Sequence, residues 1–189
     1  MSKNAIIKIN ILGNQAVGKT SLRDVYLGQK FEENTLVTVG YNKADKIFKI
    51  DKNTEIKVVI FDTAGQERFH SIALNTLKQS HGLILVYDVS NRQSFNDLKT
   101  WLHDINEATN KASIILFGNK CDIQNREITK EEAEEFAKEN NIPYIETSAK
   151  AGINIDEGFS MVIKDAYAKY SGSSGFQLKK REKPKKCCL

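Results

Sequence analysis

The segment Gly13-Asn14-Gln15-Ala16-Val17-Gly18-Lys19-Thr20 constrains this chain more than any other. It has the spacing G-x-x-x-x-G-K-[ST], follows the β-branched, apolar run Ala5–Leu12, and opens a helix near Lys19. A strand, a glycine-bearing loop and a helix in that order make an anion cradle. Backbone N–H groups and the positive helix end face a phosphate, and the lysine reaches the terminal ones. Thr20 offers a hydroxyl to Mg²⁺. Such a loop binds a nucleoside di- or triphosphate but does not by itself choose the base.

The remaining pattern agrees with an alternation of strands and helices. Asp45–Ile50 and Glu55–Phe61 read as strands joined by the polar turn Asp51-Lys52-Asn53-Thr54, hence a hairpin. Leu83–Val89 and Ser113–Gly118 are short apolar runs of the kind buried on both faces of a parallel sheet, and Tyr144–Glu146 is a very short sixth strand. Ser94 with Asp97 resembles a capping pair ahead of Phe95, Leu98, Trp101, Leu102 and Ile105 at helical spacing. Thr129 with Glu132 opens a second helix that ends near Asn140, and Ile155, Phe159, Ile163, Ala166, Tyr167 and Tyr170 line a last one. Strands alternating with helices predict a parallel α/β sheet with right-handed crossovers and helices on both faces. No internal repeat is visible. At Ser171-Gly172-Ser173-Ser174-Gly175 the composition changes to a flexible linker, so the expected division is a body over 1–170 and a tail over 171–189.

Charge separates the same two parts. The net charge is +4, but six of the 28 basic residues and only one of the 24 acidic ones lie in 171–189. The body therefore carries 22 basic against 23 acidic residues, which argues against a nucleic-acid-binding face and assigns the attraction for acidic partners to the tail. With 40% apolar and 28% charged residues the chain reads as an ordinary soluble one. No apolar run approaches the ~18 residues of a membrane span. Met1-Ser2-Lys3-Asn4 has no signal-peptide core and no myristoylation glycine, so a cytosolic protein is expected. Cys121, Cys187 and Cys188 are too few and too poorly placed for a disulfide framework or a zinc site. His70, His81 and His103 show no metal or catalytic spacing and read as structural.

Three further segments bear on the chemistry. Asp62-Thr63-Ala64-Gly65-Gln66-Glu67 follows the third strand, where an acid can hold a water on Mg²⁺, Gly65 can approach a γ-phosphate, and Gln66 can orient an attacking water. Asn119-Lys120-Cys121-Asp122 ends the fifth strand. A carboxylate accepts and never donates at neutral pH, so Asp122 suits the paired N1–H and N2–H₂ donors of guanine; adenine would leave it unpaired. Thr147-Ser148-Ala149-Lys150 offers backbone N–H groups for the guanine O6.

These motifs in this order resemble a Ras-superfamily small GTPase, with the details of the Rab branch, over about residues 5–170. Arg68-Phe69-His70-Ser71-Ile72, Leu83–Val89 and Ser94-Phe95 are similar to Rab segments, and Asn141-Ile142-Pro143-Tyr144 and Ile153-Asn154 resemble the late-endosomal Rab branch. The resemblance implies a P-loop NTPase G domain: a mixed six-stranded sheet, five strands parallel and one antiparallel, with five helices. It implies GTP and GDP as ligands, with nucleotide contacts at Gln15, Ala16, Val17, Gly18, Lys19, Thr20, Ser21, Phe31, Thr38, Gly65, Asn119, Lys120, Asp122, Ser148, Ala149 and Lys150. Phe31 would pack edge-on against the guanine and Lys120 would lie along it. Mg²⁺ ligation falls on Thr20, Thr38 and Asp62, and catalysis on Gln66. Cys187-Cys188-Leu189 resembles the Rab double-cysteine ending, which implies geranylgeranyl groups on both cysteines and a peripheral place on the cytosolic face of endomembranes. Implied partners are a guanine nucleotide exchange factor, a GTPase-activating protein, an escort protein and dissociation inhibitor, effectors, and an anionic membrane under the basic tail.

The departures carry an alternative. Gln15 and Ala16 stand where many relatives have smaller residues, and bulk at Gln15 obstructs a partner's arginine finger, worth about 10³–10⁵ in rate in related systems. A GTP-binding scaffold with impaired hydrolysis therefore stands beside the slow switch. Tyr41, Asn42 and Phe61 depart from the usual Rab effector surface, so effector identity does not carry over. An ATP-dependent nucleotide kinase lacks a visible lid or second-substrate segment.

Overall fold

The computed structural model describes residues 5–33, 41–63 and 77–173. Among them run β1 (Ile6–Leu12), α1 (Lys19–Tyr26), β2 (Tyr41–Lys49), β3 (Glu55–Thr63), β4 (Gly82–Asp88), α2 (Arg92–Asn96), α3 (Leu98–Ala108), β5 (Ser113–Asn119), α4 (Lys130–Glu139), β6 (Tyr144–Glu146) and α5 (Ile155–Ser173). The strands form one sheet in the order β2-β3-β1-β4-β5-β6. β1 pairs in parallel with β3 and β4, β4 with β5, and β5 with β6, whereas β2 runs antiparallel to β3. This is the expected mixed sheet, five strands parallel and one antiparallel.

Alternation along the inner strands supplies two cores, one per face. Ile7, Ile9 and Ile11 of β1 and Ile84 and Val86 of β4 join Leu22 and Tyr26 of α1 and Phe159, Val162 and Ile163 of α5. Leu12, Leu83, Leu85 and Tyr87 point the other way, against Phe95, Leu98, Leu102 and Ile105 of α2 and α3 and Ala133 and Phe136 of α4. β4 is buried from end to end, as a strand covered on both faces must be.

Boundaries moved where pairing or capping overrode local preference. β2 begins at Tyr41 rather than near Asp45, because β3 offers ladder partners from Tyr41↔Thr63 to Lys49↔Glu55 even for the weak strand formers Asn42 and Ala44. The first cap also differs. Asn91, not Ser94, opens α2, its Oδ1 accepting from Ser94 N, while the Ser94 hydroxyl donates to Asn91 O at 2.7 Å. Asp97 sits at the join of α2 and α3. Thr129 caps α4 as expected, accepting from Glu132 N at 3.2 Å. α5 runs on to Ser173, three residues into the stretch expected to be linker. His81 is structural: its Nδ1 accepts the Lys8 N–H at 3.1 Å, and burial lowers its pKa.

Candidate functional site

The functional segments leave the sheet at one edge, because parallel strands present their C-terminal ends together. The phosphate loop follows β1, Asp62 lies in the last turn of pairing in β3 rather than beyond it, Asp88 ends β4, Asn119 ends β5, and Thr147 follows β6.

Steric limits fix the loop. Gly13 has φ +135°, and a Cβ there would lie 2.1 Å from the Val86 carbonyl oxygen. Gly18 has φ +95°, and its Cβ would meet Asn119 Nδ2 at 2.4 Å. Neither place admits a side chain. Ala16 adopts a left-handed φ of 62°, at a cost of roughly 1–2 kcal/mol. Gly18 caps α1 without a side-chain bond, and the first turn holds no acid. The first turn thus brings no acid of its own to the N–H groups and positive end of that helix, which suits a phosphate. The buried Lys19 folds back so that Nζ donates to the carbonyls of Gly13 at 2.8 Å and Asn14 at 2.6 Å. Burial lowers its ammonium to about 8, against an opposing pull from Asp62.

Beneath the loop, Thr20 Oγ1 donates to Asp62 Oδ2 at 2.7 Å. Arg23 Nη1 donates to the same oxygen at 3.1 Å. Asp62 is fully buried, and its Oδ1 has no hydrogen-bond partner. Burial raises its pKa; the Thr20 bond and then the charges of Arg23 and Lys19 oppose that rise. A buried carboxylate oxygen left without a donor is costly, and a hard cation or a water on one would satisfy it. Mg²⁺ takes one or two carboxylates with phosphate oxygens and retained waters, so Asp62 and Thr20 fit it. Among the described residues no cluster of three or more His, Cys, Asp or Glu could hold a metal without such help.

The base-side segments are tied to the phosphate loop. Asn119 is buried, donating from Nδ2 to Val17 O at 2.8 Å and accepting from Thr147 Oγ1 at 3.3 Å. Ser148 Oγ donates to Asp122 Oδ1 at 2.5 Å and accepts from Ala151 N at 2.9 Å, which fixes the carboxylate by one oxygen. The N–H groups of Thr147 and Ser148 are spent on Gly118 O and Ile153 O. The donors left in that tetrapeptide are those of Ala149 and Lys150. Lys150 Nζ also bridges to Glu33 at 2.6 Å, and Phe31, two residues earlier in the chain, is half-buried against the core. Lys120, at φ 64°, pairs with Asp88 at 2.5 Å. Gln15 and Ala16 are exposed on the loop, while Val17 and Ser21 are buried. Thr38, Gly65, Gln66, Cys187 and Cys188 lie outside the described residues.

Three residues at the site had not been singled out by their sequence. Arg23 on Asp62 was within reach of helical spacing, three residues after Thr20. Asp88 beneath Lys120 had no signal beyond its place at a strand end. Asn14 bridges the loop to α3, accepting from Trp101 Nε1 at 2.8 Å and donating to Asp97 Oδ2 at 2.6 Å, across a separation in sequence that no local pattern spans.

A glycine-bearing loop after the first strand of a mixed sheet, stapled through Asn119 to the strand that leads to Asp122, has the form of a G domain. Comparison with known proteins agrees. The model of the Ras family matches residues 8–168. Ras-related protein Rab-1 of Theileria parva is 38% identical over 175 residues, covering 89% of this chain and 79% of that protein. Probable Ras-related protein Rab-4A of Echinococcus multilocularis is 40% identical over 174 residues, covering 90% and 78%. Ras-related protein Rab-13 of Bos taurus is 36% identical over 181 residues, covering 95% and 87%. The chain belongs to the Ras family and is a Rab-type small GTPase.

Proposed function

We propose that this protein is a slow GTP-hydrolysing switch, alternating between GDP- and GTP-bound forms to regulate vesicle traffic on the cytosolic face of endomembranes. The observation that carries the proposal is the coupling of its two ends. Lys19, Thr20 and the half-bonded Asp62 sit at one end and the Ser148-held Asp122 at the other, with Asn119 bonded to Val17 between them. Lys19 and the α1 N-terminus neutralise phosphate charge, and Thr20 and Asp62 hold Mg²⁺. When bound, Mg²⁺ supplies electrostatic stabilisation of the phosphate oxygens. Asp122 selects guanine over adenine, and the Ala149 and Lys150 N–H groups face O6. Phe31 and Lys120 flank the base.

In the cycle, the γ-phosphate orders Thr38 and Gly65, Gln66 orients the attacking water, and hydrolysis releases both segments. Catalysis is then positioning and electrostatics, with no covalent step for the protein. Geranylgeranyl groups on Cys187 and Cys188 supply the two chains that stable anchoring needs, and six basic residues add about 1 kcal/mol each beside anionic headgroups. Among the described residues no helix is long and apolar enough to cross a membrane. An exchange factor, an activating protein, an escort and dissociation inhibitor, and effectors complete the cycle.

One observation favours a second reading. Gln15 is exposed on the phosphate loop beside the left-handed Ala16; on this reading its bulk obstructs an activating partner's arginine finger. That supports a GTP-binding scaffold with impaired hydrolysis. Single-turnover hydrolysis of Mg²⁺·GTP by the parent, Gln66→Leu and Gln15→Gly separates the two. Slow turnover lost in Gln66→Leu supports the switch. Turnover seen only after Gln15→Gly supports the scaffold. Competition by ATP as strong as that by GTP refutes both.

A further inference from the structure

Arg23 lies one helical turn beyond Lys19 and Thr20 on α1, and nothing in the nucleotide chemistry above calls for it. Its side chain is 11% exposed, against 0% for its partner Asp62. Nη1 donates to Asp62 Oδ2, the oxygen that already takes the Thr20 hydroxyl. Nε and Nη2 hold Asp24 Oδ1 at 2.8 Å and 2.6 Å. Withdrawing a guanidinium this far from water is costly and is offset only by such pairing, so the position is fixed rather than incidental.

We infer that Arg23 is a built-in competitor for the metal, holding Mg²⁺ affinity down so that retention of GDP needs a higher free Mg²⁺ concentration. The inference rests on the reading of Asp62 and Thr20 as the Mg²⁺ end of a nucleotide site. Metal affinity there depends on the full charge and open lone pairs of Asp62. Arg23 takes a lone pair of Oδ2 and sets a positive charge at hydrogen-bond distance, leaving Oδ1 as the open acceptor. A divalent cation brought to Oδ1 meets the repulsion of that charge. Asp24 works the other way, offsetting the guanidinium from its far side. Neutralising Arg23 therefore tightens the metal site, and neutralising Asp24 loosens it. A residue that merely stabilised the fold would not give opposite signs.

The test uses the full chain loaded with a fluorescent GDP analogue, its dissociation rate followed across free Mg²⁺ set by a chelator. Arg23→Gln keeps a donor for Oδ2 but removes the charge, and should move the Mg²⁺ midpoint for retention about tenfold lower. Asp24→Asn should move it higher, and Arg23→Lys, which restores the charge, should stay near the parent. An unmoved or raised midpoint in folded Arg23→Gln overturns the inference. Should Arg23→Gln fail to fold, Asp24→Asn decides alone: a higher midpoint supports it, and an unmoved or lower one overturns it. A parent that retains no GDP analogue at any Mg²⁺ concentration overturns the nucleotide reading together with the inference, and is distinct from a midpoint that fails to shift.

Discussion

Replacing Asn119 by alanine should damage both ends of the site at once. The side chain is 1% exposed and lies at the end of β5, yet its amide bonds Val17 O in the phosphate loop at 2.8 Å. Its carbonyl takes the hydroxyl of the fully buried Thr147 at 3.3 Å. Two neutral hydrogen bonds contribute about 1 kcal/mol each, and the Val17 carbonyl left without its donor adds about 1–2 kcal/mol. The sum is a loss of roughly 3–4 kcal/mol, large against a typical total of about 5–15 kcal/mol. Urea unfolding should show a lower midpoint at an unchanged m value. Inorganic pyrophosphate, which has no base, should also bind more weakly, because the staple holds the loop proposed to grip phosphates. A stability loss below about 1 kcal/mol, or pyrophosphate affinity left intact while GDP affinity falls, would refute the argument that this amide joins the two ends.

Other consequences can be measured independently. Lys19 has a folded-state pKa of about 8 against an ordinary 10.5, so between those values the unfolded chain holds a proton that the folded protein lacks. Stability of the nucleotide-free protein should thus rise with pH through that window, and phosphate, by restoring the proton, should bind more weakly as pH rises past about 8. Calorimetry in buffers of different ionisation enthalpy should record proton uptake on GDP binding at about pH 8.5; none would remove the basis for this prediction. Gly158→Ala would set a Cβ 2.4 Å from the ring of Phe117, which is fully buried. Overpacking of about 1–3 kcal/mol should outweigh the alanine's helix gain of about 1 kcal/mol, lowering Tm, with partial recovery in Phe117→Leu. Ser148→Ala removes a charge-assisted bond worth roughly 1.5–3 kcal/mol and should weaken GDP and GTP alike by at least about tenfold while leaving pyrophosphate unaffected. Preserved affinity would mean that Asp122 needs no such support.

Much of this fold was legible because its signals are local. The glycines of the phosphate loop announce their own backbone requirements, and the buried strands show as unbroken apolar runs such as Leu83–Tyr87. The capping by Thr129 could be read from four residues. What escaped was decided by partners distant in the chain. β2 is long because β3 pairs with all of it, and Asn91 displaced Ser94 as a cap when the Ser94 hydroxyl turned back to Asn91 O and lay within reach of the Asp88 N–H. In the site, the sequence names candidate residues but not how they are arranged. Asp62 and Thr20 were named as neighbours of a metal, but that Asp62 shares one oxygen between a hydroxyl and a guanidinium follows from how β3 lies against α1. Likewise Asp122 was read as a base acceptor, whereas the hydroxyl that aims it belongs to a segment beyond another strand.

The bond between Trp101 and Asn14 has an optical consequence. Trp101 is the sole tryptophan of the chain, and its indole N–H ends on a side chain of the phosphate loop itself. Indole emission shifts with the polarity and hydrogen bonding of that N–H, so the protein carries its own lamp beside the proposed phosphate site. Nucleotide loading and exchange should then register in unlabelled protein as a shift of emission wavelength, without a dye attached to either nucleotide or chain.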